Sequence, residues 1–293
     1  MLFAEFAVNP DLVRDSRDLL LLNGYFSRYN GALISKFPEN WAESVLQKFA
    51  NSSFAEQQKA QLLLPKLLQT ALLSFQRQYR NANWCAEAIE SHAVQNFHVL
   101  LGMPETILPT FIHSMDEIDL IDFRQIGSQS VECQAQTLAN ASLPILRSAA
   151  RISLIDPYAK LGNNINQGYG RTLVAMFEKI GDRRVSFDVY AEADKVNLNN
   201  EQAKFDELKL HVPNNIKLSW FFLNDDGKGA LHQRMIVGNN LGLIYDRGFK
   251  HENDLDKQRE GTPVYVAKLP DLERANRRYN YVQPEQQVIL KLT

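Results

Sequence analysis

Between residues 151 and 223 the apolar residues switch repeatedly between two periods, and this alternation constrains the fold more than any other feature. Arg151-Ile152-Ser153-Leu154-Ile155 reads as a strand, ended by Asp156-Pro157-Tyr158. Residues 163–168 read as a loop, and 169–180 as an amphipathic helix. Val185, Phe187 and Val189 alternate along a strand over 184–190. Residues 200–212 are helical in pattern, and 216–223, with Trp220, Phe221 and Phe222, form a strongly apolar strand. Strands alternating with helices predict an α/β layer with a partly parallel sheet.

The next stretch carries chemistry. Met235 to Val237 and Leu243 to Tyr245 are short apolar runs joined by Gly238-Asn239-Asn240, a turn signal, and the second run ends in Asp246-Arg247-Gly248. His232 and Arg234 lie two positions apart, so on a strand they share a face. An imidazole and a guanidinium aimed at one point suit a phosphate, the first as nucleophile or proton carrier and the second as a bidentate clamp. Loop hydrogen bonding alone is the competing reading. Asp156 sits where α/β sheets place ligand groups, at a strand's carboxyl end, and a turn role ahead of Pro157 competes with that. Asp246 and Arg247 equally suit a turn-stabilising pair. Residues 263–269 read as a further strand, 272–281 as a basic helix with Arg274, Arg277 and Arg278, and 288–290 as an edge strand.

The first half reads as mainly helical after a short strand over 2–8. Helical patterns cover 11–22, 41–49 and 83–101, and another starts after Ser53, whose partner Glu56 completes a capping-box pattern. Pro65 predicts a kink or break there. Residues 116–133, acidic and then polar, read as the connection, and residues 134–149 as a helix with Pro144 inside it. The expected architecture is α+β: a helical domain over 1–135, then an α/β domain with a mixed sheet over 136–293.

The order strand, Asp156-Pro157-Tyr158, helix, strand, helix, strand, then Leu231-His232-Gln233-Arg234 and a glycine-bearing hairpin resembles the phospholipase D superfamily module. That family's signature is His-x-Lys-(x)4-Asp. Here the frame gives His232, Arg234 and Asn239, over a resemblance spanning roughly residues 140–293. The resemblance implies that His232 forms a phosphohistidine or protonates the leaving group, that Arg234 holds non-bridging phosphate oxygens, and that Asn239 accepts a hydrogen bond without charge. Asp156, Tyr158, Asp246 and Arg247 are the candidate substrate-binding residues. The family uses two facing motifs, and His211 and His251 sit in no second one, so activity implies a homodimer with the two His232 residues meeting across its axis.

Composition bounds the partners. The net charge is −2, with 11 Lys+Arg against 15 Asp+Glu in residues 1–150 and 21 against 19 in the remainder, so −4 and +2. A nucleic-acid surface in the second half is permitted but not demanded. Cys85 and Cys133 are too few for a disulfide framework or a zinc site and read as free thiols in a reducing cytoplasm. His92, His98 and His113 read as structural or surface residues, and Asp116, Glu117, Asp119 and Asp122 as a solvated loop, so no metal and no cofactor is expected. The short apolar runs and the lack of a signal-like start predict no membrane association. Two function classes remain: a metal-independent phosphodiesterase, with nucleic acid the expected substrate, and an inactive scaffold that assembles with partner proteins. Degenerate modules of this superfamily resemble parts of bacterial multi-gene systems, including phage-defence systems.

Overall fold

The computed structural model describes residues 1–75, 77–80, 83–102, 114–162, 164–224, 233–238, 241–279 and 287–293. The chain divides into two compact units, Met1–Gly127 and Ser128–Thr293.

The first unit contains, in order, β1 (Ala4–Val8), α1 (Ser16–Tyr25), β2 (Ala32–Ser35), α2 (Trp41–Phe49), α3 (Phe54–Thr70), β3 (Leu72–Leu73), α4 (Trp84–Val94) and β4 (Val99–Leu101). Helix dominates it, as the sequence pattern predicts, but its centre, among the described residues, is a four-stranded parallel sheet in the order β3-β2-β1-β4. The helix expected over 83–101 stops at Val94, and Val99–Leu101 pairs with β1 instead. Ser53 caps α3 by accepting from the Glu56 amide, and the helix continues through Pro65 to Thr70. Trp41, Val45 and Phe49 bury one face of α2 in a core with Phe6, Phe26 and Leu19. Arg77 and Glu5 form a buried bidentate pair, Nε to Oε1 at 2.6 Å and Nη2 to Oε2 at 2.7 Å. The Arg77 Nη1 donates to the Ser91 and Gln95 carbonyls at the end of α4, and its guanidinium lies 3.6 Å from the Phe97 ring centroid.

The second unit contains β5 (Ser128–Val131), α5 (Ala135–Ala141), α6 (Leu143–Ser148), β6 (Arg151–Ile155), α7 (Gly168–Ile180), β7 (Val185–Glu192), α8 (Glu201–Lys209), β8 (Ile216–Leu223), β9 (Met235–Gly238), β10 (Leu241–Tyr245), α9 (Leu255–Glu260), β11 (Thr262–Val266), α10 (Leu269–Arg278) and β12 (Val288–Leu292). The helix expected over 134–149 is broken at Ser142, just before Pro144, into α5 and α6. The acidic connection holds two 3-10 turns, Met115–Leu120 and Phe123–Gln125, and ends in β5, which pairs with β11.

Among the described residues the strands form one mixed sheet in the order β12-β8-β7-β6-β9-β10-β11-β5. β6, β7 and β8 run parallel, and β9 returns antiparallel beside β6. Phe177 of α7 packs edge-on against Phe187 on one face, and Tyr279 beyond α10 meets Tyr190 on the other. Gly238 and Gly242 admit the helices: a Cβ on Gly238 would stand 2.5 Å from the Ala149 Cβ beyond α6, and one on Gly242 2.4 Å from Leu272 of α10.

Candidate functional site

Register places the site. Ile155 of β6 is opposite Met235 of β9, so Asp156 and Arg234, the next residue on each strand, meet at the carboxyl end of β6. Met235 is also opposite Ile244 of β10, and the Tyr245 amide donates to the Arg234 carbonyl at 2.8 Å. The β10 end then turns through Gly248, which comes back over the pair.

Asp156 is fully buried. Its Oδ2 accepts from the Tyr169 hydroxyl at 2.7 Å and its Oδ1 from the Tyr158 amide at 3.0 Å. The Arg234 Nε stands 3.8 Å from Oδ1. Arg234, with 29% of its side chain exposed, also donates through Nη1 to the Asp246 carbonyl, and its guanidinium lies 5.2 Å from the Tyr158 ring centroid. Tyr158 itself is exposed. Burial pushes the Asp156 carboxyl above its ordinary value, against the opposing pull of the Tyr169 hydroxyl, the Tyr158 amide and Arg234. Burial and then the Asp156 charge push the Tyr169 phenol well up, so it remains a donor.

Gly248 has φ +82°, and a Cβ there would lie 2.4 Å from Asp156 Oδ2, 3.0 Å from Arg234 Cδ and 3.4 Å from the Tyr169 hydroxyl. Only glycine fits, for its backbone and for the space.

Three sequence candidates, Asp156, Tyr158 and Arg234, therefore converge. Asp156, expected as a substrate-binding residue, is fully buried, and its carboxylate stands 3.8 Å from the Arg234 Nε. Asp246 takes part through its backbone carbonyl. Arg247 turns away to pair with Glu260 at 2.7 Å, as the turn-pair reading anticipates only in kind, since its partner is not Asp246. His232 and Asn239 lie outside the described residues, as does His113. Tyr169 and Gly248 were not legible as site residues. The Gly168-Tyr169-Gly170 run at the head of α7 and the glycine closing Asp246-Arg247-Gly248 were the available signals.

Among the described residues no group of three His, Cys, Asp or Glu side chains is placed to hold a metal ion, and no helix is long and apolar enough to cross a membrane.

The raised Asp156 value has a measurable consequence. A carboxyl whose value is higher in the folded chain stabilises the fold fully below its ordinary 3.8 and loses that contribution as pH rises through the folded value. Asp156→Asn removes this titration. The wild type is expected to lose unfolding free energy relative to Asp156→Asn as pH climbs from about 4, measured by denaturant melts across a pH series. A difference that stays flat would mean that Asp156 is not shifted upward.

No family model and no curated protein matches the sequence. Among solved structures, the chain is similar to TrmBL2, described as an archaeal chromatin protein with a novel mode of DNA binding. The two are 12% identical, with a TM-score of 0.30 over 59% of this chain and 58% of that one. A likeness of that score carries no argument about this chain.

Proposed function

We propose that the second unit binds a phosphodiester through Arg234, as the phospholipase D resemblance implies, with nucleic acid the expected polymer. One observation supports this above the others: the Arg234 guanidinium is half-buried, hydrogen-bonded to the Asp246 carbonyl, and set 3.8 Å from the Asp156 carboxylate beside the exposed Tyr158 ring. A guanidinium so restrained loses little freedom when phosphate oxygens arrive. The Tyr158 face beside it suits stacking of a base from a single strand.

In this reading the His232 imidazole attacks phosphorus and forms a phosphohistidine while the leaving oxygen takes a proton from the His232 of a second copy. Water, giving its proton to that second His232, then attacks the phosphohistidine, breaks the P–N bond and releases a phosphomonoester. Neither step calls for a metal ion. A place in a bacterial phage-defence system belongs to the same proposal.

A second reading, an assembly subunit without turnover, is favoured by one observation: Arg234 is already engaged by groups of its own chain. Binding of a labelled single-stranded oligonucleotide separates the two. Arg234→Ala is expected to weaken binding by about 1.5–3 kcal/mol, the worth of a charge-assisted hydrogen bond. His232→Ala is expected to abolish turnover, assayed in EDTA, while binding is retained. Unchanged binding in Arg234→Ala, with a lowered melting temperature, would establish the assembly reading instead.

A further inference from the structure

A second polar site lies in the same unit, where α7 meets the segment before α5. His251 is buried, with 5% of its surface exposed. Its backbone amide donates to the Gly168 carbonyl at 3.3 Å, which fixes the ring beside the head of α7. The Ala135 amide donates to Nδ1 at 3.3 Å, and Nη1 of Arg171 lies 3.0 Å from Nε2. Both neighbours are donors. A neutral imidazole has one lone pair on a ring nitrogen and one N–H, so it cannot accept from both. The Ala135 amide belongs to the backbone and cannot turn away, whereas Arg171 is an exposed side chain. The amide therefore claims the Nδ1 lone pair and leaves the proton on Nε2, facing the guanidinium. Burial, and then Arg171, holds His251 below its ordinary value, in keeping with a neutral ring.

The Nε2–H and the guanidinium then open as neighbouring donors onto a cleft of about 250 Å³. Gln134 and Asn166 also line it, and Val174 and Ala175 form its apolar wall. Glu178 lines it too and accepts from Gln136 at 3.1 Å. Among the described residues no carboxylate pairs with Arg171. What the arrangement lacks, among the described residues, is an acceptor lying beside both donors.

We propose that this cleft binds a small oxyanion, the phosphate or carboxylate group of a small molecule, with one oxygen accepting from both His251 Nε2–H and Arg171. The site shares no side chain with the Arg234 cluster and does not rest on it. Charge-assisted hydrogen bonds of this kind are the strong class. The cleft admits a group of a few heavy atoms, and the Glu178 carboxylate on its lining disfavours a ligand with a second negative charge.

NMR of the histidine ring signals tests this on the full chain, titrated separately with inorganic phosphate and with acetate. The signal that disappears in His251→Gln is expected to move and saturate with at least one of them. Response to phosphate alone identifies a phosphate group, response to acetate alone a carboxylate, and response to both a general oxyanion site. Arg171→Gln is expected to weaken the response about tenfold or more, and Arg234→Gln to leave it in place. The proposal is overturned if neither anion moves the signal. It is equally overturned if the response survives Arg171→Gln unchanged, or if it vanishes in Arg234→Gln while persisting in Arg171→Gln. Should His251→Gln fail to fold, the two arginine variants still decide the outcome.

Discussion

Gly248→Val is expected to weaken the proposed phosphodiester binding by up to as much as Arg234→Ala does, and to destabilise the second unit by about 2–6 kcal/mol, strain and overpacking together. The backbone at φ +82° disfavours any β-branched residue. The first carbon of the new side chain would fall 2.4 Å from the Asp156 carboxylate, which is enclosed and cannot retreat into solvent. Displacing it breaks the Tyr169 hydrogen bond and releases Arg234 from its position. Thermal unfolding and an oligonucleotide binding isotherm on the same preparation check this. A variant that melts lower yet binds as the wild type does would show that phosphate does not depend on Arg234.

Glu5→Ala is expected to cost the first unit about 3–5 kcal/mol, because it leaves a buried guanidinium without its carboxylate. Only 4% of the Arg77 side chain and 9% of that of Glu5 are exposed, so water does not replace the lost partner. The same reasoning predicts that Glu5→Leu combined with Arg77→Met recovers much of the loss, since an apolar pair needs no compensation. The recovery will be incomplete, because Arg77 also ties down the Ser91 and Gln95 carbonyls. Denaturant unfolding of the three proteins measures it. A loss under about 1 kcal/mol in Glu5→Ala would place this pair with the weak, solvated class.

The second unit was readable because its elements are long and strongly periodic. Arg151–Ile155 and Ile216–Leu223 occupy the spans the pattern predicts, and α7 begins one residue before its predicted start. The sheet of the first unit was not readable. Ala32–Ser35, Leu72–Leu73 and Val99–Leu101 are short and largely buried, and runs of two to four apolar residues have no period to distinguish strand from helix. Asp156 and Arg234 were recognisable from residue type and position. Gly248 joins them only through the β6–β9–β10 register and the turn after β10, and Tyr169 only where the head of α7 returns to the end of β6, which no local spacing encodes. The inward position of Asp156 was hidden for the same reason: a strand-end carboxylate looks alike in sequence whether it faces ligand or supports a neighbour.

Among the described residues the two edges of the large sheet belong to the first and last strands of the second unit, β5 and β12. During synthesis β5 emerges early but waits for β11 before it has a partner, while the outer edge of β8 stays bare until residues 288–292 are made. The apolar Trp220-Phe221-Phe222-Leu223 segment is thus the border most exposed to foreign pairing in a nascent or truncated chain. Closure of that border by β12 makes the sheet's protection against foreign pairing there a late event in synthesis.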